Sequence, residues 1–216
     1  MRLLGPLLLL TPLPLTAADD LVFAPPDIIE WEHHSFAGDT DYALVEVDGR
    51  KAVYARCTDG TASGLFFRGE IDLAETPILE WEWRVDQVFD DIDETTRAGD
   101  DHVGRIYVVD ERRFLRWRTR AVNYVWASAK PEGSSWENPH SSQARMIAVQ
   151  SGPPERPGRW FTERRNVRED FRRHHGRDPE RISALAIMTD CDDTGQSVEA
   201  WYGTIRFLPA NEESSR

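Results

Sequence analysis

The sequence predicts a mainly β protein: one antiparallel β-sandwich of the jelly-roll kind with a single short surface helix. Three observations predict it. Apolar and polar residues alternate at a period of two through most of the chain, turn-forming pairs recur between the alternating runs, and one stretch carries helix start and stop signals. A length of 216 residues suits one domain of this kind.

The alternating runs follow one another as YALVEV (42–47), KAVYARC (51–57), SGLFFRG (63–69), ILEWEWRV (78–85), VGRIYVV (103–109), RAVNYVWA (120–127), ARMIAVQ (144–150), SALAIMT (183–189) and EAWYGTIRF (199–207). In ILEWEWRV the residues Leu79, Trp81, Trp83 and Val85 alternate with Glu80, Glu82 and Arg84, which gives a strand one packed face and one wet face. The breaks carry turn chemistry at Asp48-Gly49, Asp59-Gly60, Glu132-Gly133, Gly152-Pro153-Pro154 and Asp193-Thr194-Gly195. Short strands so punctuated favour a sandwich over βαβ units. NVREDFRRHHG (166–176) reads differently: Asn166 caps a helix N-terminus, Glu169 takes the capping-box position, Val167 and Phe171 share a face, and Gly176 ends it.

Residues 1–18 have the anatomy of a cleavable secretory signal, with Arg2, a leucine-rich stretch to Leu15 and the small exit Thr16-Ala17-Ala18. Pro6, Pro12 and Pro14 argue against a membrane helix, and no later run approaches the ~20 apolar residues of a span. The expected organisation is a signal at 1–18, one sandwich domain at 19–209 and a flexible tail at 210–216, in a protein exported to the periplasm or beyond the cell. A net charge of −12 excludes nucleic acid as a partner, since phosphate binding needs a basic stripe. Arginines cluster at 112–120 and 164–173, either as solvated faces or toward an anionic ligand. Cys57 and Cys191 are the only cysteines; they either pair in an oxidising compartment or remain two buried thiols. Nothing in the sequence addresses oligomeric state.

Two acidic loops are the candidate chemistry. In TDCDDTG, counting from Asp190, acid or oxygen donors stand at the first, third and fifth positions of a calcium loop and Gly195 at the sixth, so Asp190, Asp192 and Asp193 are candidate calcium ligands. The twelfth position is Trp201, where such a loop needs glutamate. The alternative is a tight β-connection in which Asp192 or Asp193 accepts backbone hydrogen bonds and Gly195 takes a positive φ. The second loop, FDDIDETTRAGDDHVGR, places a solvated stretch at Asp90 to Glu94 and then Asp100 and Asp101 directly before a strand bearing Arg105, a candidate ion-pair or ligand-binding rim. The working expectation is that the two loops meet at one end of the sandwich around calcium or a polar ligand. Trp136, in the polar loop EGSSWENPHSS beside Asn138, either stacks on a sugar ring or staples its loop. Asn123 is a candidate hydrogen-bonding residue. His33-His34 diverge on a strand and His174-His175 diverge by ~100° on a helix, so neither pair chelates, and His102 and His140 matter only if folding unites them. No GxSxG, HExxH, phosphate loop or nucleophilic cysteine motif is present, and no catalytic residue is named.

The blocks WEWRVD (81–86), AGDDHVGRIYVV (98–109), RAVNYVWA (120–127), NPHS (138–141), RRNVREDFRRHHG (164–176) and AIMTDCDDTG with AWYGTIRFLP (186–209) together resemble the bacterial family known as domain of unknown function 3047, from about Trp31 to Pro209. The resemblance implies an exported bacterial protein with a galactose-binding-like jelly roll, the architecture of many carbohydrate-binding modules. The family's acidic loop reads close to TDTDNTG where Cys191 and Asp193 stand here, and its last strand carries an acid where this chain has Thr204. The leading expectation is a non-catalytic module for a carbohydrate or other polar envelope ligand, using Asp100, Asp101, Arg105, Asn123, Trp136 and Asn138. Two other classes remain in view: a carboxylate-dependent hydrolase or lyase acting on an envelope polymer, and an envelope protein-interaction domain.

Overall fold

A computed structural model describes residues 20–111 and 118–210. The expected signal at 1–18, most of the 112–120 arginine cluster and all of the expected tail but Ala210 lie outside the described residues. No helix among the described residues is long and apolar enough to cross a membrane.

Thirteen strands are described, in chain order β1 (Leu21–Phe23), β2 (Glu32–Ala37), β3 (Asp41–Val47), β4 (Arg50–Cys57), β5 (Ala62–Asp72), β6 (Ile78–Val85), β7 (Gly104–Asp110), β8 (Arg120–Ala127), β9 (Ser135–Asn138), β10 (Ser141–Ser151), β11 (Phe161–Asn166), β12 (Arg181–Asp190) and β13 (Val198–Leu208). One sheet runs β11-β6-β13-β4-β3, with β1 also on β13; the other runs β2-β5-β12-β7-β8-β10-β9. This is the expected sandwich. One pairing departs from antiparallel: β8 and β10 run parallel, because the chain crosses over and β9 takes the edge.

All nine alternating runs are strands, and β1, β2, β9 and β11 are additional. Edge position explains three of them. β2, β9 and β11 each pair on one side only, so they bury no continuous apolar face, and EHHSFA and FTERRN show no clear alternation.

The expected helix forms as α2 (Val167–His175), preceded by the short α1 (Pro25–Ile28). Asn166 Oδ1 accepts the Glu169 N–H at 3.1 Å, Gly176 ends the helix at φ 61°, and Phe171 is fully buried. The helix sits on the sandwich because Phe171 and Val167 join its core.

The sheets close on a wall of aromatic rings. Trp81 of β6 stacks on Tyr124 of β8 with centroids 5.3 Å apart, and Trp83 meets Trp126 at 5.7 Å. Gly104 makes that approach possible, since a Cβ there would stand 3.2 Å from the Trp83 ring. A polar link sits beside it: Tyr202 of β13 donates to the Met188 carbonyl at 2.6 Å, and its oxygen accepts the Arg105 N–H at 3.3 Å. At the same end, Cys57 of β4 is joined by a disulfide to Cys191, just past β12, with Cα atoms 6.0 Å apart. The bond fastens one sheet to the other and pins the acidic loop that follows β12.

That cross-link closes a sequence separation of 134 residues. Its loss in the Cys57→Ala, Cys191→Ala double variant is expected to lower stability by about 2–4 kcal/mol in denaturant titrations. A change below about 0.5 kcal/mol would show that the loops hold the sheets together without it.

Candidate functional site

The strand register brings the two acidic loops together on the outer face of the seven-stranded sheet. On β7, Ile106 and Val108 enter the core, so Arg105 and Tyr107 face outward. On β12, Leu185 and Ile187 enter the core, and Met188 and Asp190 share the outward face; Met188 lies opposite Arg105. The loop before β7 then lays Asp100 and Asp101 against the loop after β12.

Arg105 is the hub. Its Nη2 donates to Asp190 Oδ2 at 2.7 Å and to the Asp100 carbonyl at 3.2 Å. Asp190 Oδ1 accepts the His102 N–H at 3.2 Å, and Asp100 Oδ2 accepts from the Asn138 side-chain amide at 2.5 Å. Asn138 Oδ1 in turn accepts the N–H groups of His140 and Ser141 at 3.0 and 2.9 Å, which fixes the β9–β10 corner to the site. Asp101 faces the other way: its carboxylate accepts the Asp193 N–H at 3.2 Å and the Thr194 N–H at 2.6 Å. Asp100, Asp101, Arg105 and Asp190 are all buried. Asp100, Arg105 and Asp190 floor a cavity of about 360 Å³, walled by Phe36, Tyr107, His140, Asp192 and Asp193.

One guanidinium among several carboxylates sets the electrostatics. Burial pushes the Asp190 carboxyl well up; Arg105 opposes this and the Asp101 and Asp100 carboxylates add to it. Asp100 goes the other way, since His102, Arg105 and Asn138 outweigh its burial and hold it below the usual range. Asp192 and Asp193 are raised, by burial and then by neighbouring acids, although His140 pulls Asp193 down through a 3.0 Å contact. His102 is lowered by burial and by Arg105, so its imidazole stays neutral; Nε2 donates to Asp100 Oδ1 at 3.4 Å, and Nδ1 has no partner.

The structure therefore brings Asp100, Arg105, Asn138 and Asp190 into one cavity, with Asp101 holding the opposite loop. Three expectations are corrected. Trp136 offers no stacking face: it is 8% exposed, lies opposite Met146 on β10 and packs with Val125, Ala127 and Ala148. The calcium trio is regrouped, because Asp190 pairs with Arg105, and the carboxylates within 4.8 Å of one another belong to Asp101, Asp192 and Asp193. Glu94 is not solvated: fully buried, it accepts the N–H groups of Ser128, Ala129 and Lys130 at 2.6, 3.1 and 2.8 Å.

Asn123 is fully buried beside Tyr107 and Met146, and it does not line the cavity. The TDCDDTG segment turns as a β-connection with Gly195 at φ 69°, but the acid accepting its backbone is Asp101 from the other loop. Folding does bring His102 and His140 to the site, each beside a different carboxylate. In the 164–173 cluster, Arg164, Arg165, Arg168 and Arg172 each face an acid, namely Glu80, Asp170, Asp178 and Asp178. Phe36, Tyr107 and Met188 of the cavity wall were not foreseen. The one signal was an aromatic in the otherwise polar run EHHSFA.

Fold and site together define a β-sandwich with a polar, acid-rich cavity at one end. The chain belongs to the family described as protein of unknown function (DUF3047), whose model matches residues 29–206. A search of curated proteins finds no match. Among solved structures, the chain is similar in fold to the family 11 carbohydrate-binding module of the cellulosomal cellulase Lic26A-Cel5E of Clostridium thermocellum, at 9% identity and a TM-score of 0.50, over 90% of this chain and 97% of that one. It is similarly like the family 30 carbohydrate-binding module of Cel9D-Cel44B from the same organism, at 11% identity and a TM-score of 0.50, over 90% and 99%.

Removing the hub charge strands the buried Asp190 carboxylate, so Arg105→Leu is expected to cost about 3–5 kcal/mol in urea unfolding; a loss under about 1 kcal/mol would contradict the hub role. A pH effect follows from His102. Because its pKa is lowered on folding, the unfolded chain binds the extra proton between pH ~6.5 and the lower folded value, so stability rises with pH across that window. His102→Gln is expected to flatten that part of the profile, and an unchanged slope would place the titration elsewhere.

Proposed function

We propose that the protein is an exported, non-catalytic carbohydrate-binding module of the bacterial envelope, periplasmic or extracellular, that takes a polar sugar in this cavity. The observation that carries the reading is the convergence of Asp100, Arg105, Asn138 and Asp190 in one concave site with aromatic walls at Phe36 and Tyr107. Sugar sites need that mixture: directional donors and acceptors for hydroxyls, and apolar surface for the ring's C–H face. In the bound state Asn138 and Asp100 hydrogen-bond to ligand hydroxyls, and Arg105 keeps the floor rigid. The likeness in fold to two carbohydrate-binding modules supports the reading, and a disulfide suits an oxidising compartment.

One observation favours a carboxylate-dependent hydrolase or lyase as a second reading. Asp190 is raised and Asp100 lowered beside one cavity, the asymmetry an acid–base pair needs. Against it stands the Asp190–Arg105 ion pair at 2.7 Å, which commits that carboxyl to the floor. Release of new reducing or unsaturated ends from an envelope polymer would select this second reading.

The test is a glycan array followed by calorimetry on the hits. The wild type is expected to bind, and Tyr107→Ala to lose about tenfold or more in affinity, which is ~1.4 kcal/mol, with its melting curve still cooperative. An array without hits, or an unchanged affinity in Tyr107→Ala, would overturn the assignment of the sugar to this cavity.

A further inference from the structure

The cavity has an uneven charge balance and one exposed aromatic wall. Phe36, on the edge strand β2, is 57% exposed and lines the cavity. It is supported from one side: its ring lies 4.6 Å from His34 and 6.2 Å from Phe66, and Phe66 lies 6.3 Å from Tyr107. An aromatic shelf thus runs from the sheet edge to the foot of Arg105. This is the exposed ring that the sequence had suggested at Trp136.

The polar side of the cavity is unbalanced. Asp100, Asp190, Asp192 and Asp193 face it, against Arg105 and the half-exposed His140. Arg105 is committed to Asp190 and to the Asp100 carbonyl, and Asp192 has no basic partner within ion-pair distance among the described residues. Arg105 Nε is also buried without an acceptor. A cation entering here meets two adjacent carboxylates, and an anionic sugar meets the same two as repulsion. The third nearby carboxylate, Asp101, already accepts two backbone N–H groups, so the free acceptor set suits an ammonium, which needs a few hydrogen bonds, better than a calcium ion, which takes six to eight oxygen ligands.

We infer that the cavity selects an amino sugar: a pyranose whose ring lies on Phe36 and whose ammonium sits against Asp192 and Asp193. The inference rests on the carbohydrate-binding reading and narrows it to a substrate class. Neutral sugars of the same shape bind more weakly, and uronates are excluded.

The test compares four tetrasaccharides by calorimetry on the purified protein in chelator: glucosamine, N-acetylglucosamine, glucose and glucuronate oligomers. The glucosamine tetramer is expected to bind about tenfold tighter than the neutral two, and the glucuronate tetramer not to bind. Asp192→Asn with Asp193→Asn is expected to bring the preference below about threefold, Phe36→Ala to weaken all the binding, and Glu132→Gln with Glu155→Gln, which makes the same net-charge change at exposed sites away from the cavity, to leave it intact. Equal binding of amino and neutral forms would overturn the inference and leave the module reading standing, as would a preference that appears only when calcium replaces the chelator. A preference lost equally in the Glu132, Glu155 control would also overturn it, as general attraction of a polycation to an acidic protein. Failure of all four sugars, with the array also empty, would remove both.

Discussion

The site depends on one buried guanidinium. Arg105 stands on the outer face of β7, and every loop of the cavity is tied to it directly or through one partner. Asp190 closes the end of β12 on it, the Asp100 carbonyl brings in the preceding loop, and Asn138 carries the β9–β10 corner onto the Asp100 carboxylate. A buried cation is tolerated only with its charge matched, so the acids are obliged to converge there.

Two further constraints make the arrangement rigid. The Cys57–Cys191 disulfide fixes the second acidic loop to the opposite sheet immediately beside Asp190. Asp101 and Glu94 then act as local clamps, each a buried carboxylate that gathers backbone N–H groups from a neighbouring turn. Tyr202, reaching across from the other sheet, steadies the Arg105 backbone at its amide. The cavity is thus held from behind by core packing and from the rim by charge, and its exposed wall is left to Phe36 and the carboxylates of Asp192 and Asp193.

Much of this was legible in sequence, for a physical reason. Central strands bury one face continuously, so β6 and β12 announce themselves by alternation, and α2 by its Asn166 cap and Gly176 stop. Edge strands bury little, and EHHSFA and FTERRN therefore show no clear alternation. At the site, Asp100, Arg105 and Asp190 were readable because acids placed directly at strand ends need partners. Trp136 was not, because a four-residue strand inside a polar loop hides the burial of its ring, and Glu94 was not, because nothing local marks the N–H groups of Ser128 to Lys130 that it accepts. Phe36 was invisible for the opposite reason: a single exposed aromatic in an edge strand carries no periodicity.

The proposed ligand site is the cavity that Arg105 and its carboxylates floor on the outer face of the seven-stranded sheet. Side-chain and backbone NMR during titration with a bound oligosaccharide tests it most directly. The largest shifts are expected on the Arg105 Nε–H, the Asn138 amide and residues 190–195. Shifts confined to the outer face of the six-stranded sheet, around Tyr54 and Trp201, would contradict it.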